Sequence, residues 1–337
     1  MATLADVAKH AGVAASTVSY VLSGKRSVSE ETRRRVRASI AELGYHPHAG
    51  ARALASSRSD VLALVVPLRS DLYVPVMMDI AIGVTTTARR FGYDVLLLTN
   101  DEGSEGIRRV ASSARADAVI LTDIALDDDR IPTIRQAGVD AVLIGVPADP
   151  DGLDCVDLDF EAAGRLCVEY LTGLGHRDIA FIGEAAGIYE RRIGFAERTL
   201  HGVRTAAAEL GAAMVHRPCE ASYEAAAGVL ARVLDERPHT TGLIVQNEAI
   251  IPRLMSLLRA AGRTVPEHVS IVAICPDQLA EQASPRLTSV SLPARELGTA
   301  AVRLLMQRLD HGEAGGVHLL PPELTVRGSS APIPKSP

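Results

Sequence analysis

Residues 3–24 read TLADVAKHAGVAASTVSYVLSG, and the spacing of their apolar side chains decides how the chain begins. Leu4, Val7, Ala8 and Ala11 recur at the period of a buried helix face, with Thr3 and Asp6 at capping-box spacing and Gly12 placed for a left-handed stop. After a tight turn through Val13, the stripe Val18, Val21, Leu22 predicts a second short helix that Gly24 ends. At about 100° per residue, Ser16 and Tyr20 face almost opposite that stripe, beside Ser19 and Ser23. The outward face offers hydroxyls and no charge. A third helix is predicted within SVSEETRRRVRASIAELGY (27–45), with Ser29 as cap, two acids in the first turn, a Val36/Ile40/Leu43 stripe and Gly44 at its end. Two short helices around a glycine-containing turn, braced by a third, form a helix-turn-helix unit.

The charge is unevenly placed around this head. Residues 1–58 hold nine Lys/Arg against four acids, whereas the whole chain of 337 residues carries a net charge of −6. A basic head on an acidic body is the asymmetry expected of a chain with one end on a polyanion. No apolar run is long enough to span a membrane, and MATLADVAKH lacks the basic and apolar regions of a secretory leader. The four cysteines, at 155, 167, 219 and 275, have neither metal-ligand nor disulfide-framework spacing, which predicts reduced thiols and a cytoplasmic protein.

HPHAGARALASSRSD (46–60) follows the head. Pro47 forbids continuation of the third helix, yet AGARALAS is rich in helix formers and too short to be stable alone. It reads as a linker that is helical only when something packs on it. From residue 61 the texture becomes strand–helix alternation: VLALVVP, DVLLLT, DAVILT, DAVLIGV, DIAFIG, TGLIVQ and VSIVAI are strand candidates, with helical stretches at 75–91, 160–173, 191–210 and 248–261. Continuous apolar strands spaced by helices imply parallel sheets buried on both faces. About 270 residues exceed one small doubly wound sheet, so two such subdomains with a ligand cleft between them are expected.

Motifs for chemistry are missing. There is no Walker loop, HExxH, GxSxG elbow or dinucleotide glycine fingerprint after the first strand. GLGHRD (173–178) follows a helix and precedes a strand, the reverse of a nucleotide loop, and reads as a helix stop. His46 and His48 have no further ligand-type cluster beside them. The body therefore favours a binding protein over an enzyme, with no catalytic residue, metal or cofactor nominated. A solute-binding protein without DNA function is the alternative; the basic head and the lack of a leader count against it.

The head resembles the DNA-binding domain of the LacI/GalR family of bacterial transcriptional regulators through DVA, AGV, TVS.VL, VS..TR.RV, ELGY.P and AR.LA, in that order. The body matches more loosely at VDLDFEAAGRLCVEYLTGLGHRDIAFIG, RRIGF and PRLTSV. The resemblance implies a small all-α helix-turn-helix domain (1–46), a hinge helix (47–60) and a periplasmic-binding-protein-like core (61–330). Its first subdomain would run 61–160 plus 289–320 and its second 161–288 plus 321–330. It implies a homodimer on a pseudo-palindromic operator, acting most often as a repressor, modulated by a small effector, of which sugars are the family's commonest class. The family's base-reading positions fall on Ala15, Ser16 and Tyr20, with Thr17 and Ser19 on the backbone and Lys25, Arg26 and Arg33 nearby; Leu54, with Ala51 beside it, falls on the hinge residue that wedges into the minor groove. For the effector, the family pattern points to Leu72, Tyr73 and Val74 after the first strand, to Arg191 as anchor, and to Asn247 in VQNEAI. Three departures stand out. Ala14 replaces the usual capping Ser, Tyr20 replaces a common Arg, and VAICPDQ (272–278) puts Cys275 where the family's sugar-binding Asp is expected, with Asp277 too late in register.

Overall fold

The computed structural model describes residues 2–23, 27–45, 58–69, 71–99, 102–113, 115–312 and 316–333. The head is three helices, α1 (Leu4–Ala11), α2 (Ala15–Ser23) and α3 (Glu30–Leu43). The capping box is formed: the Asp6 amide donates to Thr3 Oγ1 at 3.2 Å and the Thr3 amide to Asp6 Oδ2 at 2.8 Å. Gly12 and Gly44 end their helices at φ 64° and 57°, a region other residues enter at a cost. Val7, Val18 and Val36, one from each helix, are fully buried against Ala8, Ala11 and Tyr45. Arg35 of α3 donates to the Ala11 carbonyl at 2.8 Å, tying the brace to the turn between the first two helices.

The body opens with β1 (Val61–Val65), α4 (Val74–Arg90), β2 (Asp94–Leu98), α5 (Gly103–Ser113), β3 (Ala118–Leu121), α6 (Arg130–Ala137), β4 (Asp140–Ile144) and β5 (Asp154–Leu158). A second set follows. It comprises α7 (Phe160–Gly173), β6 (Asp178–Gly183), α8 (Ala186–Glu190), α9 (Gly194–Glu209), β7 (Ala213–Pro218), α10 (Tyr223–Glu236), β8 (Gly242–Val245), α11 (Ile251–Ala260), β9 (Ser270–Cys275), α12 (Asp277–Gln282) and β10 (Thr288–Ser291). The chain then returns through α13 (Ala294–His311) and β11 (Val317–Leu320) and ends in β12 (Leu324–Thr325).

These strands form two six-stranded sheets, β11-β5-β4-β3-β1-β2 and β12-β10-β9-β8-β6-β7. The two orders are the same pattern written twice. Every pairing is parallel except that of β12 with β10. The register Ala63↔Leu96 and Ala63↔Val119 sets β1 between β2 and β3, as Ala180↔Val215 and Ala180↔Leu243 set β6 between β7 and β8. The strand order thus reverses at β1/β3 and again at β6/β8, the points where doubly wound sheets leave a crevice at their carboxyl ends. Strand cores such as Leu62–Leu64, Ala118–Leu121 and Leu243–Val245 are buried on both faces, which is why they read as unbroken apolar runs.

Each lobe is closed by a helix pair that meets at glycine. A Cβ on Gly83 of α4 would lie 2.2 Å from the Arg295 carbonyl oxygen of α13, and one on Gly298 would lie 2.3 Å from that of Ile80. In the second lobe a Cβ on Gly202 of α9 would stand 2.1 Å from the Glu161 oxygen of α7, and one on Gly164 would stand 2.5 Å from that of Thr199. The chain passes between lobes three times, at 158–160, 291–294 and 320–324. These crossings touch: the Asp159 amide donates to the Leu320 carbonyl at 2.9 Å, and the Ser291 amide to that of Glu323 at 3.1 Å.

Candidate functional site

On α2 the exposed outer face is built by what the inner face buries. Val18 is fully enclosed, with Val21 and Leu22 packed beside it. Almost opposite Val18, Ser16 is exposed and Tyr20 half-buried; Thr17 and Ser19 are half-buried on the flanks, and Ala15 is exposed at the start of the helix. No acidic or basic side chain lies on the helix. Ala14 leads into it with its carbonyl alone, accepting from the amides of Thr17 at 2.9 Å and Val18 at 3.3 Å. Ala51 and Leu54 lie outside the described residues, as do Lys25 and Arg26.

The second site lies where both lobes present strand ends. A cleft enclosing about 970 Å³, mouth included, is lined by residues just past β1, β3, β4, β6, β8 and β10, together with side chains of β5, β9, α4, α7, α8, α9 and α13. Leu72 and Tyr73 line it. Val74 opens α4 and points outward, 54% exposed. Arg191, which follows α8, donates to Asp71 of the loop after β1 at 2.7 Å, an ion pair between the lobes at the mouth, and the neighbouring Arg192 makes a second with Asp127. Asn247 lies behind the wall, its Oδ1 accepting from the Ala249 amide at 3.1 Å and its Nδ2 donating to the Cys219 carbonyl at 2.7 Å. Cys275 is wholly buried beside lining residue Ile274, and Asp277 is engaged with Ser291 and Arg327 away from the cleft.

Sequence reasoning missed most of the polar lining. Asp123, Glu184 and Gln246 each stand one residue or two beyond an apolar strand, at β3, β6 and β8, and Glu248 opens the turn after β8. A polar residue directly after an apolar strand of a doubly wound sheet was the available signal. Asp157 had none, because it lies within β5 itself. Burial pushes the Asp157 carboxyl up to about 7. Glu184 and Glu248 are likewise raised, first by burial and then by neighbouring carboxylates, Asp71 for Glu184 and Glu184 for Glu248. Arg69 is ion-paired with Asp123. The apolar side of the cleft is made by Tyr73, Phe160, Phe195, Ile124, Ile188 and Leu297.

A helix-turn-helix head with an uncharged outer face, joined to two α/β lobes around a cleft, is the build of a DNA-binding transcriptional regulator. Residues 3–48 match the model of the lacI family of bacterial regulatory proteins, and residues 168–330 match a periplasmic binding protein-like domain. The chain belongs to the LacI family, being 33% identical over 319 residues to the HTH-type transcriptional regulator CelR of Thermobifida fusca, with 91% of this chain and 92% of that protein covered. It is 28% identical to the HTH-type transcriptional repressor PurR of Vibrio campbellii, over 98% of each chain. Among solved structures, the lac repressor dimer bound to operator and an anti-inducer superposes with a TM-score of 0.84 at 26% identity, covering 98% of this chain and 99% of that one. A CelR–cellobiose complex superposes at 0.71 with 29% identity, covering 98% and 100%. The protein is a sequence-specific DNA-binding regulator and not an enzyme. Among the described residues, no helix is long and apolar enough to cross a membrane.

Proposed function

We propose that two copies of this chain bind a pseudo-palindromic operator as a homodimer and repress transcription, with the cleft as the sensor of a small effector. The head would be residues 1–46, the hinge 47–60 and the core 61–330. Ala15, Ser16 and Tyr20 read base edges in the major groove while Thr17 and Ser19 hold the backbone, since base readout uses hydrogen bonds and apolar contact and charge mainly holds phosphate. Ala51 and Leu54 act in the minor groove once the hinge folds on DNA. Val74, Met78 and Ile82 form an exposed apolar stripe along one face of α4 and suit the surface that meets the second copy. A ligand that prefers one spacing of the lobes shifts the hinge ends and hence operator affinity. Leu72 and Tyr73 present the effector side of the loop after β1, Val74 turns outward from it, Arg191 holds the mouth through Asp71, and Asn247 and Cys275 shape the wall behind. A sugar is the first class to try, since the CelR relative was solved with cellobiose.

The observation that carries this reading is the outer face of α2, hydroxyl-bearing and uncharged, directly opposite fully buried Val18. Recovery of genomic DNA fragments bound by the full chain tests it. An inverted repeat shared by the fragments is expected; fragments with no common two-fold site would overturn the operator assignment.

A further inference from the structure

One buried acceptor in the cleft lining is left without a donor among the described residues. It belongs to Gln246. That residue lines the cavity and is 2% exposed, and its Nε2 donates to Thr199 Oγ1 at 2.9 Å. Thr199 has already spent its only proton on the Phe195 carbonyl at 2.9 Å. Its oxygen can therefore only accept, which fixes the amide with its nitrogen towards Thr199. The other end, Oε1, is buried and has no donor. A buried unpaired acceptor is costly in an empty site and calls for a donor from a ligand.

The same cavity is lined by Asp157, Glu184 and Glu248, buried carboxyl groups with no ion pair among the described residues. The nearby cations are committed elsewhere, Arg69 to Asp123 and Arg191 to Asp71. Burial raises all three above the usual carboxylate range, so in the empty recess they tend to hold protons; a cation placed among them supplies the counter-charge that lets them ionise, and it binds as those protons leave. Resting on the reading of this cleft as the effector site, we propose that the effector is an organic cation: a protonated amine carried on a compact apolar or hydroxylated body. The ammonium sits among Glu184, Glu248 and Asp157 and donates one hydrogen bond to Gln246 Oε1. The body packs on Tyr73, Phe160 and Phe195. A neutral polyol would leave the carboxylates without a counter-charge.

Calorimetry on the full chain tests the proposal with matched pairs of probes: glucosamine against glucose, 1,6-diaminohexane against 1,6-hexanediol, and cyclohexylmethylamine against cyclohexylmethanol. At least one amine should saturate at one per chain and bind at least tenfold more tightly than its alcohol. Glu184→Gln and Glu248→Gln should each erase most of that preference. Both variants keep the side-chain shape and replace a buried carboxyl with an amide that cannot ionise, so an unfolding midpoint no lower than the parent's verifies the fold. Alcohols binding as tightly as amines, no amine saturating, or a preference that survives both substitutions would overturn the ligand class. Operator affinity, measured in parallel, separates the two readings. An amine that binds with the stated preference but leaves operator affinity unchanged supports the ligand class and sinks the effector role; an alcohol that alone shifts operator affinity does the reverse.

Discussion

At the scale of single residues, Tyr20 and Asp157 make the sharpest statements. Tyr20 brings one hydroxyl and a ring to a position where a guanidinium could have made two bonds to guanine. Tyr20→Ala should cut discrimination between the best operator and its single-base variants by about 0.5–1.5 kcal/mol at the affected position, while binding to random duplex changes far less. Competition binding with variant duplexes checks this, and an equal loss on all sequences would contradict it. Asp157 is strained electrostatically: its carboxyl ionises near 3.8 in the unfolded chain but only at about 7 in the native one. The native state therefore holds a proton that the unfolded state has lost, and its stability falls as pH rises through that window. Asp157→Asn, which can still accept from the Leu158 amide, should stabilise the core by on the order of 1–3 kcal/mol at pH 8, with the gain vanishing near pH 4. Thermal melts across pH follow it directly; a constant difference between the two proteins would refute the cause.

At the scale of elements, the glycine crossings are the most exacting contacts in the molecule. Gly202→Ala drives a methyl into the Glu161 carbonyl of α7, and backbone cannot yield as a flexible side chain would. Separation of α7 and α9 should cost about 1–3 kcal/mol or more, read as a lower melting temperature of the core. Gly228, where a Cβ would meet nothing, is the internal control: Gly228→Ala should stabilise α10 slightly. Elements also show what sequence could carry. Apolar runs such as VLALV and GLIV announced β1 and β8, because a strand covered on both faces has no polar side to show. DCVDL did not announce β5, though all five residues are buried. Its Asp154 is matched by Arg308 of α13 at 3.1 Å, a partner about 150 positions away that no local pattern can reveal. The lining carboxylates escaped for the same reason, since the chamber they share is made only when two sheets face each other. The head was more legible, because caps, turn and stripe all lie within a few residues of one another.

At the scale of the whole molecule, the uneven charge has a measurable outcome. A net basic head brings counterion release, so operator affinity should fall steeply with salt. About a thousandfold loss between about 50 and 200 mM salt is expected for six or so phosphate contacts, and fluorescence anisotropy with labelled duplex measures it. A flat response would mean the arginines of the head never meet phosphate. The acidic body should contribute little to that slope, so removal of the head should abolish it. The three crossings between the lobes carry a different consequence. Because they are laced to one another by hydrogen bonds from the Asp159 and Ser291 amides, they form a narrow ribbon and not three independent tethers. A ribbon flexes readily across its plane and resists shear within it. Away from the ribbon the lobes are also stitched by the bridge of Ala125 with Ile193, so an occupant of the chamber that alters their spacing works against that stitch as well as against the ribbon.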